Sequence, residues 1–154
     1  MVDYKEIIKK LNLQPLDVEG GYFNKIITLK NADDVIGSCI YYLVTPNSFS
    51  SLHKVLKDEI WYFLDGDPII QITYDNDKNF ESIELGKIVE NYKSINLVKK
   101  DVWQATKLLP GGKWALVATT VIPGFGENDF ISYDDDIINE LSDKCDINQF
   151  VYKI

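Results

Sequence analysis

Short stretches in which apolar and polar side chains alternate fill the middle of this chain, and they constrain its fold more than any other feature. A period of two places successive side chains on opposite faces of a strand. The pattern is broken by turn residues, and it predicts nine strands, at residues 22–30, 37–45, 50–56, 59–64, 68–74, 80–85, 94–98, 102–107 and 114–121. So many short strands at close spacing indicate an all-β sandwich or barrel rather than a parallel α/β sheet.

Both ends of the chain carry helical patterns instead. Near the N-terminus, Asp3 precedes apolar residues at helical spacing, which predicts a short helix with Asp3 as its N-cap. Near the C-terminus, the aspartates at 134–136 precede a second amphipathic stretch, which predicts a helical segment with an acidic first turn. No repeat or linker interrupts the chain. We therefore expect a single domain over residues 1–154, with the strands at roughly 20–131.

Composition excludes several classes of function. The chain has a net charge of −8 and no Arg, so a nucleic-acid backbone is not its expected partner. No apolar run approaches the ~18 residues that a membrane span needs, and the charged start does not resemble a signal peptide. The two cysteines, Cys39 and Cys145, are far apart and follow no metal-ligand spacing. We therefore expect a cytoplasmic protein without membrane or nucleic-acid partners.

The single histidine lies in the most informative segment. In a hairpin that turns near residues 57–58, His53 and Val55 share a face of one strand, and Glu59, Trp61 and Phe63 share a face of the next. If these faces coincide, an imidazole meets a carboxylate among aromatic walls, as in a ligand pocket. Such a pair can transfer protons or bind a metal. It can equally be a hydrogen bond that only ties two strands together, and spacing leaves these alternatives open.

This segment resembles the first conserved motif of the cupin superfamily, in which Gly, His-x-His, Glu and Gly follow one another at fixed spacing. His53, Glu59 and Gly66 match that motif, whereas Val55 stands at its second His. Gln104 stands where the second motif ends in His. The resemblance implies a double-stranded β-helix, or jelly-roll, barrel that is commonly a homodimer.

Further blocks, in the right order, resemble one small cupin-like subfamily of unknown function: Glu19-Gly20-Gly21-Tyr22-Phe23, Gly66-Asp67-Pro68, Val102-Trp103-Gln104-Ala105 and Val121-Ile122-Pro123-Gly124-Phe125. The resemblance covers roughly residues 10–133. It implies that Glu19 or Tyr22 lines the mouth of the pocket, and it implies no settled reaction.

The resemblance also limits the cofactor. Metal-binding cupins use two His and one Glu from the first motif and one His from the second. Carried over, that set leaves His53, Glu59 and Gln104, and an amide oxygen is a poor ligand for a transition metal. We therefore expect either a weakly bound divalent ion or no cofactor at all.

The function expected from sequence is the binding of a small organic molecule, sugar- or carboxylate-bearing, inside the barrel. His53, Glu59 and Gln104 would contact it. Trp61 and Phe63 would form the walls of the pocket, and Gln71 and Glu19 would add polar groups. The first alternative is a metal-independent isomerase, epimerase or lyase, because the subfamily is similar to the sugar-nucleotide epimerases of the superfamily. His53 would be its general base, held by Glu59, and Tyr22 or another tyrosine its acid. The second alternative is a metal-dependent enzyme.

Overall fold

The structure is a computed structural model, and it describes residues 2–152. Two α-helices flank the strands, α1 at Tyr4–Lys10 and α2 at Asp135–Ser142. The strands are β1 Gln14–Pro15, β2 Tyr22–Asn31, β3 Asp34–Val44, β4 Ser50–Val55, β5 Asp58–Gly66, β6 Ile69–Tyr74, β7 Phe80–Leu85, β8 Ile95–Val98, β9 Val102–Leu108, β10 Ala115–Ile122 and β11 Phe130–Ser132. Single 3₁₀ turns lie at Ile88–Glu90, Glu127–Asp129 and Ile147–Phe150.

The strands form two antiparallel sheets. One has the order β1-β2-β3-β10-β5-β8 and the other the order β11-β4-β9-β6-β7. This arrangement confirms the predicted all-β jelly roll, built as a sandwich whose two sheets are not joined into a closed barrel. All nine predicted strands are present within one to three residues of their predicted ends. The two strands that were not predicted, β1 and β11, have only two and three residues, too few to show a period.

The main core lies between the two sheets, and strand β5 shows how the sequence positions it. Glu59, Trp61 and Phe63 are buried, whereas Ile60 and Tyr62 between them are only half-buried. The predicted common face is therefore confirmed. The buried apolar residues of this layer are Tyr42, Val44, Trp61, Phe63, Ile69, Leu85, Val98, Leu108, Ala115 and Val117.

Helical segments cover the outer faces of the sheets. Helix α1 begins after Asp3, whose carboxylate accepts a hydrogen bond from the Lys5 amide at 3.0 Å, and its Ile7 packs on Leu43 of β3. The C-terminal residues pack over the five-stranded sheet, where Ile137, Leu141, Ile147 and Phe150 contact Leu52, Ile72, Tyr74 and Ala105. The acidic C-terminal stretch is therefore a packed part of the domain. None of the helices within residues 2–152 has the length and hydrophobicity that crossing a membrane requires.

Candidate functional site

A cavity of about 580 Å³ lies between the two sheets. Its position is set by inward-facing side chains of β2, β3, β4, β5 and β10, by β11 and by the loop before β2. Most of its wall is apolar, and the lining residues are Leu16, Val18, Glu19, Phe23, Lys25, Ser38, Ile40, Val55, Glu59, Thr119, Val121, Phe125, Glu127 and Phe130. An apolar hollow of this size with few polar groups is typical of small-molecule sites.

Glu59 is the most buried carboxylate in this cavity, with 8% of its surface exposed. Burial raises its pKa, and the Glu19 carboxylate raises it further, whereas His53, Thr119 and Gln104 lower it. The Thr119 hydroxyl is itself buried and has no hydrogen-bond partner within residues 2–152. Glu59 is therefore an acid whose charged form is costly in the folded protein.

Gln104 orients Glu59 from the opposite sheet. Its amide nitrogen donates to Glu59 Oε1 at 3.0 Å, and its amide oxygen accepts from the Trp61 indole nitrogen at 3.1 Å. An indole N–H can only donate, so the amide oxygen must face Trp61 and the NH₂ group must face Glu59. The chain Trp61–Gln104–Glu59 thus presents one N–H donor, that of Gln104, to the carboxylate, while Glu59 also lines the cavity.

His53 lies behind the cavity wall, with only 1% of its surface exposed. The pairing of β4 with β9 shifts register between Ser50 and His53, and such bulges redirect side chains. Here the His53 Nδ1 donates to the Ser51 carbonyl at 2.7 Å. Because a carbonyl oxygen only accepts, Nδ1 carries a hydrogen. The other ring nitrogen, Nε2, lies 3.7 Å from Glu19 Oε1, and the ring stacks on Phe130.

Glu19 reaches the cavity from a tightly packed loop. A Cβ at Gly20 would lie 2.1 Å from the Phe49 carbonyl oxygen, and one at Gly21 would lie 2.3 Å from the Tyr42 hydroxyl. Both glycines also have positive φ, at 102° and 70°, which side chains disfavour. The Tyr42 hydroxyl donates to the Gly20 carbonyl at 2.5 Å. This packing fixes the Glu19 backbone.

Hydrogen bonds of one serine and one tyrosine also fix this loop. The Ser50 hydroxyl donates to Glu19 Oε1 at 2.5 Å. The Tyr152 hydroxyl donates to the Phe49 carbonyl at 2.6 Å and accepts from the Phe49 amide at 2.7 Å. The C-terminal segment thereby braces the loop that carries Glu19, a role that no sequence motif indicated.

The structure places the other residues predicted for the site away from the cavity. Tyr22 packs toward α1, on the face of β2 opposite to Phe23, so the structure does not bring it to His53. Trp61 and Phe63 face inward as predicted, but they belong to the packed core and not to the cavity wall. Gln71 belongs to a separate buried network, in which it donates to Thr106 at 2.8 Å and accepts from Asn96 at 2.6 Å.

Several cavity residues were missed by sequence reasoning. Thr119 and Val121 are two residues apart on β10, so they share its inner face. The alternation of the sequence could therefore have indicated both. Phe130 lies on a strand too short to predict. Lys25 and Phe125 are exposed at the cavity, and nothing in their neighbourhood distinguishes them from surface residues.

The donor set does not fit the metal site that the cupin resemblance implies. Val55 replaces one imidazole, and Gln104 turns its NH₂ group, not its oxygen, toward Glu59. Residues 2–152 contain no group of three or more His, Cys, Asp or Glu side chains arranged to hold a metal ion. One imidazole and one carboxylate with this amide make a weak set for a transition metal.

Comparison with known families and structures gives a consistent result. The family model described as cupin superfamily (DUF985) matches residues 5–132. No curated protein matches the sequence. A hypothetical protein from Leishmania major superposes with a TM-score of 0.85 at 25% identity, over 99% of this chain and 100% of that one.

Two more solved structures share the fold. A crystallised protein of Shewanella oneidensis superposes with a TM-score of 0.87 at 22% identity, with 100% of each chain covered. The Bacillus subtilis oxalate decarboxylase, which contains Mn(II) centres, superposes with a TM-score of 0.60 at 13% identity. That match covers 93% of this chain but 40% of the decarboxylase, and at this identity it carries information on fold alone.

Proposed function

Because this chain belongs to the DUF985 family of the cupin superfamily, we propose that it binds a small organic molecule in the cavity between its sheets. One observation carries the proposal: the cavity of about 580 Å³ combines a mostly apolar wall with a buried carboxylate, Glu59, and a half-buried one, Glu19. Its volume lies in the range of small-molecule pockets. A buried acid whose pKa is raised has a cost in stability, and such acids concentrate at functional sites.

Proton transfer at His53 is the second candidate function, and the ring's tautomer favours it. With a hydrogen on Nδ1, the neutral ring keeps a lone pair on Nε2, as a general base requires. The residue that lines the cavity next to this nitrogen is Glu19, however, and not His53 itself. An isomerase or lyase reaction would therefore pass its proton through Glu19. Replacement by H53N tests this, because turnover of a bound ligand should be lost while its affinity changes less than tenfold.

Neighbouring residues on β10 provide the experiment for binding. Val121 lines the cavity, whereas Ile122 points outward and is 48% exposed. A metabolite library is screened by thermal shift on the wild type, on V121W and on I122W, since a ligand raises Tm by mass action.

We expect at least one compound to stabilise the wild type and I122W but not V121W, because the indole fills the cavity. Circular dichroism checks that both variants are folded. Compounds that stabilise V121W equally bind elsewhere, and such a result would contradict the proposal.

A further inference from the structure

The charges in the cavity are unequally distributed between its interior and its rim. Glu19 and Glu59 are the interior groups, with 14% of the Glu19 side chain and 8% of Glu59 exposed. Lys25 and Glu127 are both exposed, so they belong to the rim and have opposite charges. The interior of the cavity is therefore acidic, whereas the rim is close to neutral.

Lysine side chains do not compensate the two interior carboxylates in the described part of the chain. Within residues 2–152, no lysine forms an ion pair with Glu19 or Glu59, and the sequence contains no Arg. Their one basic neighbour is His53, whose Nε2 lies 3.7 Å from Glu19 Oε1. The Nδ1 of the same ring donates to the Ser51 carbonyl at 2.7 Å, so His53 is held behind the cavity wall and not in it.

Two carboxylates, those of Glu19 and Glu59, therefore face the same cavity, and each accepts only one protein hydrogen bond within residues 2–152, from Ser50 and from Gln104. Buried acceptors need donors, and buried anions need a counter-charge. A group that supplies several N–H donors together with a positive charge matches these two carboxylates. Protonated amines have both properties, since an ammonium offers three donors.

The remainder of the cavity is suited to an apolar body. Phe23, Phe125 and Phe130 line it together with branched aliphatic side chains. Aromatic faces bind apolar groups and attract cations. An anionic group has no counter-charge inside, because Lys25 is the only lysine among the lining residues and it lies at the exposed rim.

We propose that the ligand of this cavity is a small organic amine, bound through its ammonium group at Glu19 and Glu59 and through its apolar body at the phenylalanine walls. The inference rests on the proposed function and narrows it to one substrate class. It departs from the sugar- or carboxylate-bearing ligand expected from sequence, because the sequence did not reveal that the cavity's interior charges are acidic.

Three probes of similar shape but different charge test the class. They are 2-phenylethylamine, 2-phenylethanol and 3-phenylpropionate, titrated by calorimetry at pH 8, where an alkylamine is protonated as lysine is. We expect the amine to bind at least tenfold more tightly than the alcohol, and the carboxylate to bind more weakly than both. E59Q should lower amine affinity at least tenfold. E84Q, the same change at an exposed position of β7, should leave it unchanged.

Each contrary result has a defined meaning. Equal or tighter binding of the carboxylate or the alcohol, or amine binding that E59Q leaves intact, overturns the amine inference. If the alcohol or the carboxylate binds more tightly than the amine and V121W abolishes that binding, the cavity does bind small molecules. The proposed function then stands although the amine inference fails. Failure of all three probes to bind also overturns the inference. The proposed function then fails too only if the library screen yields no cavity ligand.

Discussion

Replacement of Glu59 by glutamine should stabilise the protein at neutral and alkaline pH while it weakens amine binding in the cavity. Burial raises the pKa of Glu59, and Glu19 raises it further. The folded protein therefore retains this proton to higher pH than the unfolded chain does. The wild type should lose stability relative to E59Q as the pH rises from about 4, the pKa of an unfolded glutamate, through the raised pKa.

The size of the stability difference between E59Q and the wild type follows from the contacts of Glu59. The amide of E59Q has nearly the shape of the acid and keeps an acceptor for the Gln104 NH₂ group, so the packing and this hydrogen bond persist. What disappears is the cost of an ionised group in a buried site, which can reach several kcal/mol when it is not compensated. We expect E59Q to be about 1–2 kcal/mol more stable than the wild type at pH 8. For a chain of this size that corresponds to a rise in Tm of about 2–8 °C.

Urea unfolding followed by tryptophan fluorescence between pH 4 and pH 8 measures this difference. E84Q is the matched control, because it changes the same group at an exposed site, and we expect it to differ from the wild type by less than about 0.5 kcal/mol. The reasoning would be refuted if E59Q were less stable than the wild type at pH 8, or if their difference did not change with pH.

Three further substitutions and one mass measurement test other parts of the structure. Q104L should cost roughly 2–4 kcal/mol in urea unfolding, because it leaves an indole N–H and Glu59 without a buried partner; a loss below about 1 kcal/mol would contradict this. G20A should cost about 2–4 kcal/mol through steric clash and strain, whereas G37A, whose Cβ would make only ordinary contact, should cost less than about 1 kcal/mol; equal effects would refute the tight loop packing. Y152F should cost about 1–3 kcal/mol and speed hydrogen exchange near the glycine loop; unchanged exchange would separate the C-terminal segment from that loop. The predicted homodimer should give a mass near twice 17.7 kDa by light scattering. The exposed apolar side chains of the β2–β3 hairpin favour such a dimer, and the mass of a single chain would exclude it.

The strand pattern of this fold was predictable because eight of the eleven strands have six or more residues, which is long enough for a local pattern between turn residues. Alternation at 59–63 predicted that Glu59, Trp61 and Phe63 share one face, and all three are buried. It failed for β1 and β11, whose pairing depends on tertiary contacts rather than on a local period. The pattern at the C-terminus correctly predicted a helical segment with an acidic first turn, but it did not show that the apolar side chains of this segment pack on the five-stranded sheet.

The candidate site was only partly predictable, because a period of two gives the face of a strand and not the depth within the domain. His53, Glu59 and Gln104 do come together, as the motif spacing indicated. Trp61 lies on the same face of β5 as Glu59, yet it is packed in the main core and does not reach the cavity. Tyr22 packs toward α1, and its neighbour Phe23 is the residue of β2 that lines the cavity at this point. The acidic interior arises from two segments far apart in sequence, and only the tertiary structure shows it.

The Trp61 indole offers the most direct test of ligand binding beside Glu59. Its N–H donates to Gln104, which donates to Glu59, so its NMR resonance reports on any group that reaches the carboxylate. The Trp114 indole donates to the Val2 carbonyl at 3.2 Å, far from this network, and serves as the internal reference. On titration with 2-phenylethylamine, the account predicts a saturable shift of the Trp61 signal, assigned with W61F, and a fixed Trp114 signal. A Trp61 signal that does not move at saturating amine, or that moves equally in V121W, would contradict it.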